Sequence, residues 1–310
     1  DFFRPISSFG RQPAILRQAI DAPSRPPEEL LRPEVPYDIP DLVVEQHFYV
    51  SADGTQVPMF VVHRRALSMN GDNPTLLTGY GGFNLSRTPA WSPEMIPWVR
   101  HGGVYAVANL RGGSEYGERW HQAGMLANKQ NVFDDFIAAA EYLVRQGYTR
   151  PERLGAFGRS NGGLLAGAAL TQRPNLFGAV VSGVPLLDML RYHRFLIAAL
   201  WIAEYGSAQD PEQFRWLYGY SPYHRVKEGQ TYPAVLLYAA ESDSRVDPMH
   251  ARKMAALLQH VTGASEAERP VLLRLETEAG HGVGKPISKV IEEQADIWTF
   301  LGNQLELPLA

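Results

Sequence analysis

The chain has 310 residues, 45% of them hydrophobic, a formal net charge of −4 and no cysteine. That is enough for one large α/β domain or two small ones. A slightly acidic chain without a basic stripe is a poor partner for nucleic acid, and the lack of cysteine excludes disulfides, thiolate metal sites and a cysteine nucleophile. No apolar run reaches the roughly 18 residues of a membrane helix. The expectation is a soluble chain, cytoplasmic or periplasmic, with no membrane partner. No signal peptide is visible, and a start at Asp1 reads as a processed or excised polypeptide.

Residues 1–40 hold eight prolines and little periodicity, which reads as a linker or the tail of a preceding unit. Orderly patterning begins near residue 41. Val43–Val50 and Gln56–His63 read as antiparallel strands joined at Asp53-Gly54, a favoured hairpin turn. Apolar runs at Thr75–Thr78, Val104–Asn109, Leu154–Phe157, Ala179–Ser182, Ala234–Ala239 and Val271–Leu275 read as six further strands, with helices between most of them. The clearest helix is expected from Asn131, with Asp134 completing a near capping box and Gly147 ending it. Phe133, Phe136, Ile137, Ala140, Leu143 and Val144 fall on one of its faces. Two antiparallel strands followed by alternating strand and helix predict a mostly parallel eight-stranded sheet covered on both faces. In such a sheet the site lies beyond the C-terminal strand ends.

Gly158-Arg159-Ser160-Asn161-Gly162 is the most informative segment. It reads Gly-x-Ser-x-Gly between a short buried strand and a helix of small apolar residues running from Gly162 to Thr171. A sharp strand-to-helix turn of this kind forces the serine hydroxyl into the open as a nucleophile. A serine needs a base. Eight of the nine histidines have ordinary readings as surface or core residues. His281 differs, because it sits between glycines in Ala279-Gly280-His281-Gly282, just past the last expected strand. The imidazole in turn needs an acid. Asp243 follows the strand Ala234–Ala239, while its rival Asp247 stands before Pro248 where a helix-entry charge is expected. The order Ser160, Asp243, His281 is that of the α/β-hydrolase fold. There is no His-Glu-x-x-His run and no phosphate-binding Gly-x-x-x-x-Gly-Lys loop, so no metal or cofactor is expected.

From about residue 40 to the C-terminus the chain resembles the catalytic domain of the prolyl oligopeptidases, the S9 serine peptidases. The segments that carry the resemblance are Asn73–Leu77 leading into Gly79-Tyr80-Gly81-Gly82-Phe83-Asn84, Leu110–Gly117, Ser160–Leu165, Trp216 with Tyr220-Ser221-Pro222, Asp243 with Arg245-Val246, and Gly280-His281-Gly282. The resemblance implies the triad Ser160, Asp243 and His281. It implies an oxyanion site made by the Tyr80 hydroxyl and the Asn161 backbone N–H. It further implies a proline pocket formed by Phe83, Trp216, Tyr220 and Val246, with Arg245 anchoring a substrate carbonyl. Short peptides would be cut after proline. The resemblance also implies a seven-bladed β-propeller that is absent here, with residues 1–38 matching its last piece and exit linker. Arg159 and Asp247 depart from the pattern. The alternatives are a relative of other specificity (oligopeptidase B-like, with Glu204 or Asp188 as acids for a basic side chain, an acylaminoacyl peptidase or an esterase) and a non-catalytic binding module that kept the fold.

Overall fold

The computed structural model of the protein describes residues 1–34, 41–277, 280–281 and 285–309. All eight expected strands form and make one sheet. They are β4 (Leu42–Val50), β5 (Gln56–Arg64), β6 (Thr75–Gly79), β7 (Val104–Ala108), β8 (Leu154–Arg159), β9 (Ala179–Gly183), β10 (Ala234–Ala240) and β11 (Val271–Glu276). The spatial order is β11-β10-β9-β8-β6-β7-β5-β4. β5 runs antiparallel to β4 and β7, and the pairings from β7 through β11 are parallel. The hairpin closes at Gly54, which has φ +86°.

The helices are α1 (Met95–Arg100), α2 (Glu118–Gln122), α3 (Gln130–Arg145), α4 (Asn161–Gln172), α5 (Ile202–Tyr205), α6 (Pro211–Tyr220), α7 (Pro222–Arg225), α8 (Met249–Val261) and α9 (Ile287–Gln304). Neighbouring strand residues point to opposite faces, so each central strand feeds two cores. Leu77, Ala156, Val180 and Leu237 pack with α3, α4 and α8 on one side, and Leu76, Val181 and Leu236 pack with α1 and α9 on the other. No helix among the described residues is long and apolar enough to cross a membrane.

Two expectations change. The long helix starts at Gln130, and no side chain caps it. A 3₁₀ turn at Leu126–Asn128 runs straight into it, so Asn131 is already inside the helix and donates to the Ala123 carbonyl at 2.9 Å. Asp134 accepts from the Gln130 amide instead. The second change is at the N-terminus. Residues read without strands form a three-stranded antiparallel sheet of β1 (Phe2–Ser8), β2 (Arg11–Gln18) and β3 (Glu28–Leu31). Phe9 anchors it by packing on Phe60, with ring centroids 5.7 Å apart.

The chain lays β7 on one side of β6 and then crosses to place β8 on the other. That reversal leaves a crevice at the C-terminal ends of β6 and β8, where ligands of open α/β sheets bind.

Candidate active site

Ser160 follows β8 directly and has φ 57° and ψ −119°, a strained conformation for a side chain with a Cβ. Neighbouring glycines permit the bend. A Cβ on Gly158 would lie 1.9 Å from the Gly162 carbonyl oxygen. The Ser160 N–H donates to Gly183 O of β9 at 2.9 Å, which pins the turn to the sheet.

Three strand ends meet here. His281, beyond β11, places Nε2 3.3 Å from Ser160 Oγ, and its Nδ1 lies 2.6 Å from Asp243 Oδ2. Asp243, beyond β10, uses Oδ1 to accept from the backbone N–H groups of Arg245 at 2.8 Å and Val246 at 2.9 Å. Burial pushes the Asp243 carboxyl up, but the hydrogen bonds from His281 and the two N–H groups outweigh it and leave its pKa lowered. Asp247 accepts from Met249 N at 2.8 Å at the start of α8, the helix-entry role expected of it. Of the residues around the histidine, Gly280 is described, while Ala279 and Gly282 lie outside the described residues.

Tyr80 follows β6. Burial raises its hydroxyl pKa, while a hydrogen bond with Ser160 and the charge of Arg245 oppose the shift. Asn161 is the first residue of α4, a position whose N–H has no acceptor inside the helix. Its side chain has a second task not expected from the sequence. Asn161 Nδ2 donates to Tyr80 O at 2.5 Å, and Oδ1 accepts from Tyr205 Oη at 2.7 Å.

Beside Ser160 lies a hollow of about 280 Å³ walled by Tyr80, Phe83, Leu186, Trp201, Tyr205 and Arg245. The Phe83 ring meets Tyr205 at 5.5 Å and Trp201 at 6.4 Å, both edge to face. Phe83 and Arg245 border this hollow, whereas Trp216 and Tyr220 are not among its lining residues. Both belong to α6, and Tyr220 is buried against Phe133 at 5.1 Å. The spacing Trp-x-x-x-Tyr occurs twice, at 201–205 and 216–220, and the first copy forms the wall. Val246 is buried and is not among the residues that border the hollow; its N–H donates to Asp243. A larger cavity of about 520 Å³ also opens on Ser160 and is lined by Arg87, Glu94 and Arg159. The Arg159 guanidinium sits over the Tyr238 ring at 5.6 Å.

A carboxylate, an imidazole and a hydroxyl aligned in that order beside a lone backbone N–H form an arrangement for acyl transfer. Residues 89–307 match the model of the prolyl oligopeptidase family. The chain belongs to that family. It is 44% identical over 301 residues to the prolyl endopeptidase of Elizabethkingia miricola, covering 97% of this chain and 42% of the relative. Identity to the Dictyostelium discoideum prolyl endopeptidase is 43% over 273 residues, covering 87% and 36% of the two chains. Among solved structures, one from a mechanistic study of two prolyl endopeptidases superposes with TM-score 0.94 at 51% identity, covering 99% of this chain and 44% of the other. Prolyl oligopeptidase B of Galerina marginata, bound to a 35-residue hydrolysis and macrocyclisation substrate, superposes with TM-score 0.93 at 37% identity, covering 100% and 44%. The chain thus spans less than half the length of these relatives.

Proposed function

We propose that this chain is the catalytic portion of a serine endopeptidase that hydrolyses short peptides on the carboxyl side of proline. The observation that carries the reading is the Ser160–His281–Asp243 line at 3.3 and 2.6 Å beside an aromatic hollow. Ser160 Oγ attacks the scissile carbonyl carbon as His281 Nε2 takes its proton. Asp243 holds the Nδ1–H tautomer and stabilises the imidazolium. The Tyr80 hydroxyl and the Asn161 N–H receive the oxyanion. His281 then protonates the departing amine, and water resolves the acyl-enzyme by the same route.

The hollow suits a pyrrolidine. Proline has a rigid ring and no N–H to satisfy, so flat aromatic walls are sufficient for it. Trp201, Tyr205 and Phe83 supply those walls, and Arg245 stands at the edge for a substrate carbonyl. Specificity for a basic side chain would need a free carboxylate, and among the described residues none lines the hollow. Glu204 is engaged by His121, Lys129 and the Phe83 N–H, and Asp188 by Arg191 and Lys253. Residues 1–38 fit the last piece of a preceding β-propeller. Three antiparallel strands expose Phe2, Phe3, Leu30 and Leu31, as strands do when they belong to a larger β unit.

Matched peptides with Pro, Arg or Ala before the scissile bond test the reading. Proline should be fastest, and faster cleavage after Arg or Ala overturns the specificity. Fluorophosphonate labelling that persists in Ser160→Ala would overturn the nucleophile.

A further inference from the structure

Beneath the turn that carries Tyr80 and Phe83 lies a buried cation with no role in the chemistry above. Lys129 is 1% exposed at the mouth of α3. Its Nζ donates to Gly81 O at 2.8 Å, pairs with Glu204 Oε1 at 3.5 Å and stands 5.2 Å from the centre of the Tyr205 ring. Glu204 is also buried. Oε1 accepts from Phe83 N at 3.1 Å, and Oε2 lies 2.8 Å from His121 Nε2. The lysine and carboxylate therefore grip the 81–83 backbone at two successive points, while Asn161 holds the carbonyl of Tyr80.

The turn needs holding. Phe83 and Asn84 both have positive φ, 57° and 56°, a costly conformation for side-chain-bearing residues. Such strain persists only where the surroundings over-determine it. A buried ammonium is itself expensive, and burial pulls the Lys129 pKa down to about 8 against the supporting charge of Glu204. An apolar side chain would fill the space more cheaply but could not bind a carbonyl and a carboxylate together.

We infer that Lys129 and Glu204 form a positioning unit that sets the Tyr80 hydroxyl against Ser160 and the Phe83 ring against Trp201 and Tyr205. The oxyanion donor and the proline wall thus share one electrostatic support. The inference rests on the peptidase reading for the role of Tyr80, but its test does not depend on proline specificity.

The test is a double-mutant cycle in the protein as it is naturally produced. Lys129→Met, Tyr80→Phe and the double variant are compared by the rate at which a fluorophosphonate labels Ser160, and by kcat and KM on a post-proline peptide. A displaced donor should slow labelling and kcat by about 10–100-fold in the Tyr80 protein. In the Tyr80→Phe background, where the donor is already gone, the same substitution should cost less than about threefold. KM should rise in both backgrounds, because the Phe83 wall moves in both. Equal factors in the two backgrounds, or no loss in either, would overturn the inference. If Lys129→Met fails to fold, Glu204→Gln takes its place in the same cycle, because its amide oxygen still accepts from Phe83 while the charge facing Lys129 is lost. A protein that labels with this coupling but does not prefer proline would refute the specificity and leave the positioning unit standing.

Discussion

Asp243→Asn probes the centre of the arrangement because the structure dictates which way the new amide turns. Asp243 is buried, and its Oδ1 satisfies two backbone N–H groups, those of Arg245 and Val246. Leaving either unpaired costs about 1–3 kcal/mol, so the asparagine keeps its oxygen on that side. Its NH₂ then faces His281 Nδ1, where Oδ2 stood at 2.6 Å. Nδ1 must become an acceptor, and the neutral ring carries its proton on Nε2, toward Ser160. The base is then occupied by the very proton it should lack. Loss of the correct tautomer lowers kcat by about 10⁴, or about 5.5 kcal/mol in the barrier. Stability should hold within about 1 kcal/mol, because both backbone bonds survive. Asp243→Ala, in contrast, strands both N–H groups and should lose roughly 2–6 kcal/mol of stability as well. Steady-state hydrolysis of a chromogenic post-proline peptide and urea unfolding measure the two effects. An asparagine variant within tenfold of wild-type kcat, or one less stable than the alanine variant, would refute the reasoning.

Trp201→Ala should raise KM for proline substrates by about 10–100-fold through loss of a stacking wall, whereas Trp216→Ala should leave it within about threefold; a reversed order would put the pocket at α6. Gly158→Ala should abolish soluble expression or cost about 3 kcal/mol or more, since its methyl would lie 1.9 Å from a backbone oxygen that a packed turn cannot move; wild-type unfolding midpoints would contradict the geometry. Asp135→Ala leaves the buried Arg111 guanidinium without its 2.6 Å partner and should cost about 3–5 kcal/mol in urea unfolding, far more than a surface pair. His250 is buried and accepts N–H bonds from Leu187 and Asp188 at Nδ1, with its pKa pulled down to about 4 by desolvation. Between about pH 6.5 and pH 4 the unfolded chain binds this proton and the folded one does not. Stability is therefore complete above pH 6.5 and falls on acidification, by roughly 2 kcal/mol at pH 5. His250→Asn should remove that increment of the pH 7 to pH 5 difference, and an unchanged difference would assign it elsewhere.

What could be read from the sequence tracks how local the governing contacts are. The parallel strands are buried on both faces, so they stand out as short apolar runs, and all eight strands of the sheet lie within two residues of the bounds that the sequence predicts. Ser160 and its flanking glycines form a local motif, and Asp243 and His281, which the structure places in line with it, can be picked out because each follows a strand. The strands of residues 1–34 are hidden in the sequence for the opposite reason. Only β2 alternates clearly, through Gln12, Ala14 and Leu16, while β1 and β3 are largely exposed and prolines interrupt the segment. The hollow's aromatic wall is harder to read, because the Trp-x-x-x-Tyr spacing is repeated and the copy that borders the hollow lies where a 3₁₀ turn at Ala198–Trp201 runs into the single turn of α5, with no periodicity to mark it.

Lys129 marks the limit of this kind of reading. In a sequence it is one more cation before an amphipathic helix, and charged residues at such places usually face water. Its acceptor on Gly81 is 48 residues away, and the Phe83 N–H finds Glu204 across 121 residues. Neither distance leaves a trace in local patterning. The chemistry of the site belongs to residues at strand ends, whose positions the sheet fixes through its own hydrogen bonds. The shape of the site belongs to turns and short helices, which the sheet does not fix and which need polar partners supplied from elsewhere in the chain. A family can therefore retain a readable nucleophile, base and acid while the wall that selects its substrate changes through residues that look ordinary in one dimension.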